Sequence, residues 1–129
     1  VPFLGARSNM DSVYVVPNPY HAAGFAFGGA PRDPRYLDNY EVRDQISFVG
    51  LPAQATIRVF TSHGDLVATL QHPDPGNPLS VPNSADEAWW QISDQYQIIK
   101  SGVYFFHVEG FDREGNALGE TTGKFVVIR

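Results

Sequence analysis

The stretch GVYFFHVE, residues 102–109, decides the fold class of this 129-residue chain. Successive side chains of a β-strand point to opposite faces, and here large apolar residues occupy alternate positions. Aromatic and β-branched side chains also suit the pleated surface of a sheet. We therefore expect a strand with one buried face and one outward face. The buried face would carry Tyr104, Phe106 and Val108, and the outward face Val103, Phe105 and His107.

Shorter segments with the same character lie on both sides of this strand. Ile57 and Val59 alternate with polar residues, so we expect both to be buried in the core. Gly64 and Gly115 lie in turn clusters that would join hairpin strands. About seven short strands with no credible helix predict an all-β fold, a two-sheet antiparallel β-sandwich. The predicted strands are residues 13–16, 45–49, 55–60, 66–70, 88–92, 102–109 and 124–128.

The chain length fits one domain with one core. We assign the sandwich to residues 13–129, preceded by an N-terminal arm or linker at 1–12. A long irregular insert at 21–44 interrupts it, and connections of this kind are usually functional or loosely ordered. Both segments carry large apolar side chains, so we expect at least one to pack against another copy or a host domain. The candidate contact residues there are Val1, Phe3, Leu4, Phe25 and Phe27.

Charge and composition narrow the classes of partner. The formal net charge is −5 with only two lysines, Lys100 and Lys124, so the basic clusters that hold polyanions are missing. We expect neither nucleic acid nor an anionic membrane surface as a partner. No apolar run approaches the roughly 20 residues of a membrane-spanning helix. The absence of cysteine excludes disulfides and thiolate metal sites.

Several short motifs occur in an order typical of one group of bacterial modules. They are VPNPY at 16–20, ISF at 46–48 with LP at 51–52, TIRVF at 56–60 with GDLV at 64–67, Trp90, SGVYFF at 101–106 and GKFVVIR at 123–129. Together they resemble bacterial C-terminal immunoglobulin-like modules. These include the immunoglobulin-like domains of flagellar hook-capping proteins and the type A sorting domains of the type IX secretion system. The sequence departs at residues 94–97, DQYQ, where an Asn-Gly or Asp-Gly turn is usual.

This resemblance implies an immunoglobulin-like sandwich at the end of a secreted or cell-surface protein. Such modules sort, anchor or dock their host protein and have no active site, so it implies protein partners and no catalysis. One alternative is a self-assembling subunit of an extracellular filament, a homopolymer in which the arm or insert adds a strand to a neighbouring copy. A weaker alternative is a carbohydrate-binding module that uses Trp89 and nearby tyrosines.

The titratable residues predict no catalytic or metal site. His21, His63, His72 and His107 lack zinc-ligand spacing, and we expect them in solvated loops, in turns or on an outward strand face. No Gly-x-Ser-x-Gly elbow or suggestive carboxylate pair is present, so we expect no enzyme activity and no cofactor. Residues 112–116, DREGN, loosely resemble a calcium loop but lack its terminal bidentate acid, which favours a hairpin turn.

Two adjacent tryptophans should point to opposite faces of one strand. The motif order assigns Trp90 to the core, which would place Trp89 on the outer face. If their strand neighbours residues 102–109, Trp89 would lie beside Val103 and Phe105. Three apolar residues on one outer face predict a contact surface, for which we favour a protein partner.

Overall fold

The computed structural model describes residues 13–21, 45–76, 80–82 and 84–129. Within these ranges eight strands form two sheets, which confirms the predicted all-β, two-sheet sandwich. The described residues contain no helix that is long and apolar enough to span a membrane. The strands are β1 (Tyr14–Val16), β2 (Tyr20–His21), β3 (Ile46–Val49), β4 (Gln54–Thr61), β5 (Leu66–His72), β6 (Asp86–Trp89), β7 (Gly102–Phe111) and β8 (Ala117–Ile128).

One sheet has three strands in the order β1-β3-β6, and the other has five in the order β2-β8-β7-β4-β5. The pairings are antiparallel except that of β2 with β8, which is parallel. Asn18 lies where the chain crosses from β1 to β2. Its side chain accepts a hydrogen bond from Val126 N at 3.1 Å and donates one to Lys124 O at 3.3 Å. The crossover is thereby tied to β8.

The observed strand bounds differ most from the predicted ones at β6, β8 and β2. Strand β8 begins at Ala117, because its hairpin with β7 pairs from Gly102↔Val127 to Phe111↔Ala117. Strand β6 ends at Trp89, the last residue to pair with β3. The two-residue strand β2 was not predicted, and it includes His21, the first residue of the predicted insert.

The core lies between the inner faces of the two sheets. Phe48 of β3 contacts three aromatic rings, with centroid distances of 6.4 Å to Trp89, 5.5 Å to Phe106 and 6.2 Å to Phe125. The two contacts to Phe106 and Phe125 are edge-to-face, a geometry that stabilises beyond the area buried. All six residues predicted to be buried are buried: Ile57, Val59, Trp90, Tyr104, Phe106 and Val108.

Tyr104 fixes the entry of the chain into β7. Its hydroxyl donates a hydrogen bond to Lys100 O at 2.7 Å, and its ring stacks on Phe125 with a centroid distance of 5.6 Å. A tyrosine near a strand start that bonds back to the preceding main chain is a feature of immunoglobulin-type sandwiches. Burial raises the pKa of the Tyr104 hydroxyl above its ordinary value, because desolvation disfavours the phenolate.

Candidate functional site

The outer face of the five-stranded sheet carries a continuous group of apolar side chains at one end. Strand register places Phe105 between Phe60 of β4 and Lys124 of β8, while Phe60 pairs with Leu66 of β5. Val103 pairs with Val126 on the same face. We call this surface the apolar end, and its residues are Phe60, Leu66, Val103, Phe105, Val126 and Ile128.

The apolar end is substantially open to solvent. Leu66 is 52% exposed, Val103 41%, Phe105 42% and Ile128 41%. Single exposed apolar residues are common on protein surfaces, but a contiguous group is typical of an interaction site. These four side chains come from β5, β7 and β8 of one hydrogen-bonded sheet, so a rigid framework positions them.

The other half of this face is polar. Arg58 and Glu109 form an ion pair across β4 and β7, and His107 Nε2 lies 3.2 Å from Glu120 Oε2 across β7 and β8. Exposed pairs of this kind contribute little to stability. An apolar patch beside charges of both signs has the composition of a protein contact surface, in which a polar rim surrounds an apolar centre.

The structure places two of the predicted contact residues at the surface, places Trp89 in the core and leaves five others outside the described ranges. Val103 and Phe105 lie on the outward face of β7, as predicted. Val1, Phe3, Leu4, Phe25 and Phe27 lie outside the described residues. Their role in contacts stays a prediction, as does that of Val103 and Phe105.

The prediction that Trp89 lies on the outer face is wrong. Trp89 is only 2% exposed and belongs to the main core, where its ring meets Phe48 and Phe125. Its Nε1 donates to Ile92 O at 3.1 Å. Trp90 is also buried, because β6 ends at Trp89 and strict alternation of faces no longer applies beyond it. Within β6, Glu87 and Trp89 share the inward face, and the prediction failed because it extended strict alternation to Trp90, beyond the end of the strand.

The expectation that all four histidines are solvated is wrong for His72. It ends β5 facing the core, and its ring is buried against Glu87 of β6. His72 Nδ1 lies 2.7 Å from Glu87 Oε1, and His72 Nε2 lies 2.8 Å from Ser84 O. The two residues are 15 positions apart, and the packing of the two sheets against each other brings them together.

A shallow cleft of about 610 Å³ lies at the opposite end of the five-stranded sheet from the apolar end. Its walls include Gln54, Thr56 and Gln71, with Phe111 and Arg113 on the side of the β7–β8 turn. Its histidine, His72, already bonds at both ring nitrogens. Across the described parts of the chain, no three histidine, aspartate or glutamate residues gather into a group able to hold a metal ion.

The turn at residues 112–116 is a hairpin turn, as favoured from the sequence, with a φ of 88° at Gly115. The Asp112 carboxylate accepts hydrogen bonds from Asn116 N at 2.8 Å, Glu114 N at 3.0 Å and Asn116 Nδ2 at 3.2 Å. These hydrogen bonds, above all the one from the main-chain N–H of Asn116, lower the pKa of Asp112 below its ordinary value. The carboxylate is thus already occupied by its own turn.

The sequence departure at residues 94–97 protects one sheet edge. Asp94 N donates to Val67 O at 3.0 Å, and Asp94 Oδ1 accepts from Thr69 N at 3.3 Å. Both bonds use main-chain groups on the open side of β5. An exposed strand edge is a template for pairing with another chain, and covering its groups opposes that pairing. No sequence signal marked Asp94 for this role.

The fold and the apolar end define a two-sheet β-sandwich module with a candidate docking surface. No protein-family model matches the chain, and no curated protein matches it. Among solved structures it is similar to PorZ, described as an essential bacterial surface component of the type IX secretion system of Porphyromonas gingivalis. The TM-score is 0.55 at 22% identity, over 97% of this chain and 12% of the PorZ chain. A likeness at this identity shows a shared fold.

Proposed function

We propose that this chain is a non-catalytic module that acts at the bacterial cell surface, docking or anchoring a host protein within a type IX secretion route. The observation that carries the proposal is the apolar end of the outer sheet face. Two further findings support the setting. The motif order resembles type A sorting domains, and the structurally similar PorZ is described as a surface component of that secretion system.

The occupant proposed for the apolar end is a protein surface of the secretion or attachment machinery. Burying one Val, Leu, Ile or Phe side chain yields roughly 1.5–3 kcal/mol relative to leaving it exposed, and four such side chains are open here. Among the residues that pair with one another across the strands of the apolar end, the only lysine is Lys124, opposite Phe105. A single lysine beside this surface, in a chain of net charge −5, does not suit a polyanionic partner.

The two alternative functions are less well supported. Carbohydrate binding relied on Trp89, whose ring is buried in the core. Self-assembly by strand addition needs an accessible edge, and Asp94 covers main-chain groups of β5. A filament would therefore have to use another edge, and nothing in the described residues favours one.

The test is an export experiment with a reporter. The chain is joined to the carboxyl end of a periplasmic reporter protein and produced in a bacterium that has a type IX secretion system. We expect the reporter on the cell surface or in the medium, and we expect it to stay in the periplasm when the secretion system is inactivated. The reporter without the module is the matched control. Periplasmic retention of the fusion in the competent strain would contradict the proposal.

A further inference from the structure

A buried contact between His72 and Glu87 joins the two sheets of the sandwich. His72 ends β5 in the five-stranded sheet, and Glu87 lies on β6 in the three-stranded sheet. Their side chains are 0% and 2% exposed, and His72 Nδ1 lies 2.7 Å from Glu87 Oε1. Water therefore has little access to either group, and each must be satisfied within the protein.

The hydrogen-bond partners dictate how many protons this contact holds. His72 Nε2 lies 2.8 Å from Ser84 O, and because a carbonyl oxygen can only accept, Nε2 carries a proton. The 2.7 Å separation of Nδ1 and Oε1 then needs one further proton between them, since two lone pairs would repel. Whether that proton resides on the ring or on the carboxyl group, the pair holds one in addition to the Nε2 proton.

The same carboxylate oxygen also secures the connection between β5 and β6. Ser80 Oγ donates to Glu87 Oε1 at 2.6 Å and accepts from Asp74 N at 2.7 Å. Ser84 supplies the carbonyl that holds the other side of the His72 ring. The shared proton, Ser80 and Ser84 thus tie both flanks of this connection to the core.

Among the described residues, the strand neighbours opposite the pair carry no charge. The residue opposite His72 on β4 is Ala55, and the residue opposite Glu87 on β3 is Phe48. Among charged groups on nearby elements, Asp74 accepts from Gly76 N at 2.9 Å, and Asp86 is exposed next to Glu87 along β6. Arg113 is exposed on the turn beside the cleft that His72 lines.

We propose that the proton shared by His72 and Glu87 is a pH-sensitive latch that holds the β5–β6 connection in place, so that the sandwich loses stability on both sides of a pH optimum. In an unfolded chain, glutamate and histidine exchange protons near pH 4.3 and pH 6.5. Above about pH 7 the unfolded pair holds no such proton and the folded pair holds one, so stability falls as the pH rises. Below about pH 4 the unfolded pair holds two, so stability falls as the pH falls.

The alkaline side gives the cleaner test, because many other carboxylates titrate on the acid side. One net proton predicts that the unfolding equilibrium constant rises about tenfold per pH unit between pH 7 and 8. Glu87→Gln replaces the shared proton by a covalent amide N–H that can donate to Nδ1, so its profile should be flat over this range. Glu120→Gln makes the same change in the exposed pair with His107 and should retain the slope of the unchanged chain. Equal slopes in the unchanged chain and in Glu87→Gln would overturn the proposal.

A second measurement on the unchanged chain keeps the proposal testable if Glu87→Gln does not fold. Nitrogen NMR of the histidine rings should show His72 Nε2 protonated throughout pH 5–8. The ring signals of His72 should hold steady over the same range, because the pair keeps its shared proton. A His72 ring whose signals shift within pH 5–8, or one whose Nε2 is unprotonated, would overturn the latch.

Discussion

Phe106 and Gly123 face each other across β7 and β8 so closely that the ring occupies the space of a missing side chain. A Cβ atom placed on Gly123 would lie 2.4 Å from Phe106 Cζ and 2.7 Å from Cε2. The same ring meets Phe48 of the other sheet edge-to-face at 5.5 Å. Glycine at this position therefore lets Phe106 lie against β8 while it fills the core.

Gly123→Ala should destabilise the fold by about 1–3 kcal/mol, because the ring must shift within a close-packed core. Chemical denaturation of the purified chain measures the loss. Gly102→Ala is the matched control on the same hairpin, since a Cβ there would lie 3.8 Å from Tyr104 Cε2, an ordinary contact. Similar losses in the two variants would show that the Phe106 contact is not responsible.

Phe106→Ala should cost about 3–5 kcal/mol, the range for removing a large buried aromatic side chain. Phe105→Ala, one residue away on the outward face, should cost much less, since Phe105 is 42% exposed. Denaturation curves of the two variants give the comparison directly. A loss below about 1 kcal/mol for Phe106→Ala would mean that the two faces of β7 are reversed.

The sequence predicted the sandwich well wherever alternation was regular. The faces of β7 and the burial of Ile57 and Val59 follow from a period of two, which the pleated strand imposes. Trp89 was misplaced because two adjacent tryptophans at a strand end give no period, and the position of β6 could not be determined locally. The aromatic core around Phe48 depends on contacts between sheets, which spacing along the chain does not encode.

The candidate site was only partly predictable. Val103 and Phe105 were identified from alternation, whereas Leu66 and Phe60 join them through strand register, which one sequence does not reveal. His72 and Glu87 were missed because each, taken alone, is typical of a solvated loop in a proline-rich segment. Their burial depends on the meeting of two strands from different sheets.

Asp112 should contribute to the acid sensitivity of the fold. Its folded pKa is depressed, chiefly by the hydrogen bond from Asn116 N, so its contribution is complete above about pH 4 and lost as the pH falls through the lower folded value. Asp112→Asn keeps an acceptor without the titration and should lose less stability between pH 4.5 and pH 2.5. Glu114→Gln neutralises a neighbouring carboxylate in the same turn, whereas the hydrogen bonds described above are accepted by Asp112, and it should retain the original slope. A steeper acid loss in Asp112→Asn would contradict this account.

Calcium and chelators should leave the stability of the chain unchanged. The oxygens of Asp112 already accept three hydrogen bonds from the turn, and a bound ion would have to displace them. Thermal unfolding with millimolar calcium and with a strong chelator tests this expectation. A clear rise in Tm with calcium would instead indicate an ion at residues 112–116, since a ligand that binds only the folded state stabilises it.

The apolar end is tested most directly by substitutions along the outward face of β7 in the exported reporter. Val103→Thr and Phe105→Thr, combined, keep good strand propensity but remove apolar area from the proposed docking surface. His107→Thr, two positions further on the same face and in its polar half, is the matched control. If the account is correct, the double variant keeps its Tm within a few degrees but loses surface delivery of the reporter, while His107→Thr keeps both. Normal delivery of the double variant would contradict the account.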